Sequence, residues 1–271
     1  MIEECTLVAV ALAVTVHDPE ERLLGRFTPA LDQVASLYVS RAAGCSADTS
    51  PRTLSALAAA GFFVVVKPGR NVGVGRRDAV AGALAGSAAD WIHYVDLDRL
   101  LHWEYSHPNE LRVLLAGEPR SAYVALGRTA RALATHPRVQ VVAETLTNEG
   151  CGRLLGLNGA IDAVAGSSLF SRQAAEVIMR HSCELTNATD LEWPAIVYRE
   201  LGVPPEARKL EGLEFETADY YGDEIQAAGS VAAWVTRSYD RPETWVSRTR
   251  LAYDSIAALA RVLDDRQGES R

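Results

Sequence analysis

Two carboxylates one residue apart, Asp96 and Asp98, close the apolar run Trp91-Ile-His-Tyr-Val95. A short buried strand running into two acids puts hard oxygen donors at the carboxyl edge of a sheet, where open α/β folds bind ligands. Carboxylates at i and i+2 can share one divalent cation, and Mg²⁺ in such sites also binds substrate phosphates. The plainer reading is turn chemistry, because Asp suits the turns that follow strands. A second acid pair, Asp190 and Glu192, precedes an apolar helical segment. A carboxylate there either caps the helix or takes a proton from an acceptor hydroxyl as general base. Asp190 is the favoured base, because Glu192 lies roughly 200° further round a helix.

The loop Lys67–Gly75 gathers three glycines, a proline and basic residues, with Arg76 and Arg77 just beyond. It leads into a helix, whose first turn presents free N–H groups and partial positive charge. Nucleotide or pyrophosphate contact and a solvated surface turn explain it equally well. Its glycines fit neither the dinucleotide fingerprint nor the P-loop. The stretch Asp162–Arg172 reads as a strand and tight turn, where Gly166 and its serines could let a sugar ring approach the backbone. Six histidines occur, none at zincin spacing. His93 reads as a hydrogen-bonded core residue, and His102 and His107 as secondary metal candidates.

These residues need a scaffold. Leu7–Val16 is a continuous apolar run and predicts a central strand. A helix is expected from Glu20 to about Asp32, a strand at Val34–Val39, and a polar turn at Gly44–Pro51. A helix follows at Arg52–Ala60, closed by Gly61, then a strand at Phe62–Val66. A helix through about Leu84 precedes the strand Trp91–Val95. This alternation predicts an α/β fold with a mainly parallel, doubly wound central sheet. Later, strands are expected at Ser121–Ala125 and Val139–Ala143. Helices are expected at Arg172–His181, Leu191–Leu201 and Val246–Leu263, and a lid or loop at Leu210–Ser230. The polar tail Asp264–Arg271 should fray.

Composition narrows the classes. The chain has 271 residues, 48% of them apolar, enough for one large domain with a full core. Net charge is −8 with no Lys/Arg run, which argues against nucleic acid. The four cysteines, Cys5, Cys45, Cys151 and Cys183, form no CxxC pair and read as reduced thiols of a cytoplasmic protein. The apolar stretch from Thr6 is too short for a transmembrane segment and has an acidic flank, unlike a signal peptide.

Taken in order, the segments resemble the nucleotide-sugar glycosyltransferases of the A-type fold, in particular the family-2-like group. Gly44-Cys-Ser46-Ala-Asp48-Thr49 is similar to the second part of that family's D-G-S-x-D-x-T turn. Asn71-Val-Gly73-Val-Gly75-Arg-Arg77-Asp78-Ala79 is similar to its N-x-G…A-R-N element, and Asp96-Leu-Asp98 to its D-x-D motif. Gly166–Arg172 and Thr189–Glu192 resemble its later glycine-to-arginine turn and acidic pair. The resemblance implies a catalytic domain over residues 1–205, with residues 206–271 as a C-terminal extension. It implies hexosyl transfer from a nucleotide-diphosphate sugar to an acceptor it does not name. Asp96 and Asp98 would hold Mn²⁺ or Mg²⁺. Asp48, Asn71, Gly73, Arg77 and Asp96 would contact the donor, and Asp190 or Glu192 would be the base. The chain departs from the family at Arg41-Ala42-Ala43, where an acid usually meets the nucleobase, and at the turn Val16-His17-Asp18-Pro19. A catalytically silent relative that binds a ligand or partner in the same cleft is the alternative; a nucleotidyltransferase is a weaker third. A homodimer is an open option.

Overall fold

The computed structural model describes residues 9–25, 28–67, 69 and 71–268. Cys5, the Leu7–Val8 start of the expected first strand, Phe27, Pro68, Arg70 and residues 269–271 lie outside the described residues. In the first part β1 (Val10–Val16), α1 (Thr28–Ser36), β2 (Ser40–Ser46), α2 (Pro51–Ala59), β3 (Phe63–Lys67), α3 (Val72–Gly86) and β4 (Trp91–Asp96) alternate. Then come α4 (Leu97–Ser106), α5 (Pro108–Ala116), β5 (Tyr123–Arg128), α6 (Ala130–Ala134), α7 (Arg138–Leu154) and β6 (Ser167–Ser171). The chain continues through α8 (Arg172–His181), α9 (Thr189–Leu201) and β7 (Glu206–Leu210). A 3-10 turn at Thr217–Tyr220 leads to α10 (Gly222–Ala228), α11 (Val231–Tyr239) and α12 (Pro242–Gly268).

The expected fold class is what the chain adopts. One seven-stranded sheet has the order β3-β2-β1-β4-β6-β5-β7. All neighbours are parallel except β6, which runs antiparallel to β4 and β5. From β1 the chain winds outward to β3, then returns to β4 on the other side of β1. That reversal opens a crevice at the carboxyl ends of β1 and β4. Thr15 of β1 pairs in register with Asp96 of β4, which places the first acid at the crevice. β7, which opens the C-terminal stretch, pairs with β5 in the same sheet. The late helices at 172–181, 189–201 and 242–268 contain those expected.

Several elements differ from expectation. Val34–Val39 is no strand: Ala30, Leu31, Val34, Ala35 and Tyr38 are buried at helical spacing, and α1 runs to Ser36. Upstream, Glu20–Gly25 forms turns, and Asp18 accepts from the backbone N–H groups of Arg22 (2.7 Å) and Leu23 (3.3 Å). The second strand is Ser40–Ser46, which takes in Gly44–Ser46, the start of the polar turn expected at Gly44–Pro51; its residues are mostly small. They are small because α3 lies directly on β2. A Cβ on Gly44 would come within 2.0 Å of the Gly75 carbonyl oxygen, and one on Gly82 within 2.8 Å of the Ala42 Cβ. Val139–Ala143 begins α7, where Val139 and Ala143 stack one turn apart on the buried face. Leu210–Ser230 is not loop throughout, since it contains the 3-10 turn and α10.

His93 sits in the core as a hydrogen-bonded residue. Its Nδ1 lies 2.7 Å from the Tyr38 hydroxyl and its Nε2 3.1 Å from Ser167 Oγ, with Trp103 edge-on. Burial pushes its pKa down to about 3. An unfolded histidine takes up a proton near pH 6.5, so between about 6.5 and 3 only the unfolded chain carries it. Stability from this group is therefore full above pH 6.5 and falls as pH drops, by about 1.4 kcal/mol per pH unit. His93→Gln lacks that proton site. Chemical denaturation of both proteins from pH 7 to 5 should show the stability advantage of the parent shrinking as pH falls; a constant difference would mean His93 is not held neutral.

Candidate functional site

The crevice holds a cavity of about 450 Å³, walled by the carboxyl ends of β1, β2 and β4 and the start of α3. This volume lies in the range of small-ligand sites. Asn71, Asp96 and Asp98 line it, together with Gly44, Gly75 and Arg76. A pair between Lys67 Nζ and Asp78 Oδ1 (2.5 Å) stands in its wall, as do His17 and Ser46, joined at 2.8 Å. A second cavity of about 180 Å³ lies beyond, between α7, the Gly166 turn, the start of α9, Glu216 and α12. Arg76, Asp96 and Asn187 line both and form the wall between them.

Arg76 is the centre of that wall. Its side chain is 4% exposed. Its Nη1 pairs with Asp190 Oδ1 and donates to Thr189 Oγ1 at 2.8 Å, and its Nη2 lies 3.7 Å from Asp96 Oδ2. Burial works against its charge, but Asp190, Tyr94 and Asp96 more than compensate and keep it protonated. Asp96 Oδ1 accepts from Thr15 (2.5 Å) and from the Tyr94 hydroxyl (2.7 Å), so three groups fix one carboxylate. Gly166 has φ +67°, and a Cβ there would meet Asp96 Oδ2 at 2.7 Å. A glycine is needed at 166 on both counts.

Asp98 opens α4 and accepts from the Arg99 backbone N–H at 2.8 Å. Burial first, then the charges of Glu216 and Asp96, push its pKa up to about 7 against the opposing pull of Arg99. Such an excess of negative charge fits a divalent cation. Among the described residues no group of three or more His, Cys, Asp or Glu could enclose a metal. Two carboxylates suit a hard cation that completes its shell with water and phosphate oxygens.

Asp190 stands in the first turn of α9, half-buried in the second cavity, and it makes no helix-capping bond. Burial raises its pKa to about 6, with Arg76 opposing and Asp96 assisting. Glu192 lies elsewhere. It is buried beneath the α8–α9 loop and accepts from the Ser182 hydroxyl (2.5 Å) and the N–H groups of Cys183 (2.9 Å) and Glu184 (3.0 Å). The same loop takes two other candidates. Arg77 donates to Ser182 Oγ (3.2 Å) and the Glu184 carbonyl (2.5 Å), and Gly73 N–H donates to the Leu185 carbonyl (3.1 Å). Asp48 is exposed on the turn after β2 and does not line the cavity. His102 pairs with Asp219 (2.6 Å) and Glu214 (3.4 Å), and His107 lies 3.7 Å from Glu214, so neither turns to the acid pair.

Sequence reasoning missed Thr15, Tyr94, Arg99 and Glu216, and of the two arginines after the Lys67–Gly75 loop it favoured Arg77 over Arg76 as the donor contact. The signal for Arg76 is helix phase. With α3 starting at Val72, Arg76 falls on the buried face with Ala79, Val80 and Ala83, and Arg77 turns about 100° away.

The sequence matches no family model and no curated protein. Solved structures similar in chain arrangement include a mycobacterial protein, 16% identical with a TM-score of 0.43, covering 82% of this chain and 75% of that one. Glucosyl-3-phosphoglycerate synthase from Mycobacterium tuberculosis is another. Its complex with Mn²⁺, UDP-glucose and phosphoglyceric acid is 16% identical with a TM-score of 0.46, over 82% of this chain and 80% of that one. Its complex with Mg²⁺ and UDP is 15% identical with a TM-score of 0.46, over 74% and 69%. At such identity and TM-score, function has to be argued from the site itself.

Among the described residues no helix is long and apolar enough to cross a membrane, and Cys45, Cys151 and Cys183 are free thiols.

Arg76→Gln removes a cation that faces both Asp96 and Asp190. The Asp190 carboxyl should then titrate above 6, because its opposing charge is gone while burial remains. The variant should also lose about 3–5 kcal/mol of stability, the usual cost of stranding a buried charge. Carboxyl-carbon NMR through pH 4–8 and chemical denaturation check both; an unmoved titration would detach Arg76 from Asp190.

Proposed function

We propose that this protein transfers a glycosyl group from a nucleotide-diphosphate sugar to an acceptor hydroxyl, with Mn²⁺ or Mg²⁺ held by Asp96 and Asp98. The observation that carries the reading is the meeting of two cavities at one charged wall. The larger takes a nucleotide, the smaller takes a polar partner, Asp96 and Arg76 stand where they join, and Asp190 pairs with Arg76 from the smaller side.

Each side chain has a task in that reaction. Asn71 and the glycine floor of Gly44 and Gly75 admit the nucleotide close to the backbone. Arg76 stays cationic and opposes charge that builds on the departing diphosphate, in a site where fixed charges act strongly. A bound divalent cation would supply Lewis-acid neutralisation of the same oxygens. Asp190, on the acceptor side, receives the proton of the attacking hydroxyl. With a pKa of about 6 it is mostly ionised at neutral pH yet more basic than an exposed carboxylate. Glu192 serves the α8–α9 loop and leaves the base role to Asp190. One observation favours a second reading, ligand binding without turnover: Arg76 already pairs with both acids.

Two measurements separate these readings. Asp98→Asn should weaken Mn²⁺-dependent binding of nucleoside diphosphates by at least about tenfold, or about 1.4 kcal/mol. Calorimetry with UDP, GDP and ADP, with and without Mn²⁺, reads this, and equal affinities would remove the metal role. Asp190→Asn should lower turnover about 100-fold or more while donor binding persists. The rate of the parent should fall as pH drops through about 6, because protonation removes the base, and the residual rate of the variant should lack that step. Metal-dependent nucleotide binding with no transfer from UDP-glucose or GDP-mannose to any tested acceptor would favour the silent binder.

A further inference from the structure

Four residues that line the smaller cavity, Arg76, Arg99, Glu144 and Glu216, carry buried polar atoms without a hydrogen-bond partner, and Arg99 and Glu216 carry three of those atoms between them. Arg99 pairs with Glu216 through Nη2 and Oε1 at 3.0 Å, and both side chains are less than 10% exposed. The pair leaves Arg99 Nε and Nη1, and Glu216 Oε2, without hydrogen-bond partners. Buried donors and acceptors are ordinarily satisfied, so such a set offers hydrogen-bonding capacity to a water or a ligand in the cavity. Both residues line the cavity. Gly166 also lines it, with a Cβ there falling in ordinary contact, 3.5 Å, with Arg99 Nε.

We propose that Arg99 and Glu216 recognise a small, uncharged polyol in the second cavity, through hydroxyl groups that accept from the guanidinium and donate to the carboxylate. Adjacent hydroxyls both donate and accept, and so match a donor edge set beside an acceptor. Size agrees. A cavity of about 180 Å³ has room for about six waters at roughly 30 Å³ each, which corresponds to a single monosaccharide or smaller. Charge selects against an anionic occupant. Each arginine lining the cavity already faces a carboxylate: Arg76 faces Asp190 and Asp96, Arg99 faces Glu216, and Arg248 lies 3.5 Å from Glu144. With Arg128, which also holds Glu144 (2.7 Å) and Asp162 (2.8 Å), five acids stand against four arginines, so a phosphate would meet an excess of negative charge. The inference deepens the proposed transfer and rests on it only for the source of the polyol, which is either a free acceptor or the hexosyl part of the donor.

The test measures binding without turnover. Calorimetry on the full chain uses glucose, glycerol and glycerol 3-phosphate, each with and without UDP, GDP and ADP, and compares each nucleoside diphosphate with UDP-glucose or GDP-mannose. The same titrations are run on Glu216→Gln, which keeps the shape, and on Ser255→Leu, which adds bulk to the cavity wall from α12. Saturable glucose or glycerol binding, weakened at least tenfold in both variants, identifies a free acceptor. No free-sugar binding, but a nucleotide-sugar bound at least tenfold tighter than its nucleoside diphosphate, with that gain lost in both variants, identifies the hexosyl of the donor. Either result supports the inference. Glycerol 3-phosphate binding more tightly than glucose and glycerol overturns it, as does binding unchanged in both variants or no sugar-dependent binding at all. Sugar binding in a protein that binds no nucleotide would leave this inference standing and remove the proposed transfer.

Discussion

A buried guanidinium between two carboxylates is the constraint on which this site depends. Arg76 is taken out of water on the floor of a sheet crevice, and a lone charge there would be untenable. Asp96 from the end of β4 and Asp190 from the first turn of α9 make it tenable. The same contact ties together β4, α3 and α9. Removing Arg76 leaves two carboxylates facing each other, and removing either acid leaves the guanidinium with a single partner, so geometry and electrostatics change together.

That ion pair has to be delivered by backbone close approach. α3 carries Arg76 into the crevice because nothing larger than hydrogen stands between Gly44 and the Gly75 carbonyl. The Gly73 end of the helix is fastened to the α8–α9 loop, which Arg77 and Glu192 also hold. Residues that look like donor ligands in a linear reading thus hold the frame that aims their neighbour. Tyr94 and Thr15 finish the task by fixing Asp96 from the sheet side.

The C-terminal part closes the second cavity. Glu216 reaches Arg99, and the Tyr220 hydroxyl donates to the Asp98 carbonyl at 2.7 Å, so the strap after β7 is anchored on α4 beside the acid pair. α12 lies against α7 and α9 and supplies Arg248 and Ser255 to the wall. This part makes the smaller cavity polar and narrow.

The sequence alone determined what local pattern controls. Continuous apolar runs marked β1, β3 and β4, the alternation with helices implied a parallel sheet, and an acid pair after β4 followed at its carboxyl edge. His93 was legible as a core residue because an apolar strand surrounds it. Tertiary structure decided the rest. β2 was illegible because close packing under α3 selects small residues, which resemble a turn in composition. The division between Arg76 and Arg77, and between Asp190 and Glu192, depended on helix phase, and phase depends on where each helix begins against its neighbours. The pairing of Arg99 with Glu216 joins residues 117 positions apart. No spacing rule reaches that far, because such a contact is set by how the layers pack and not by any period along the chain.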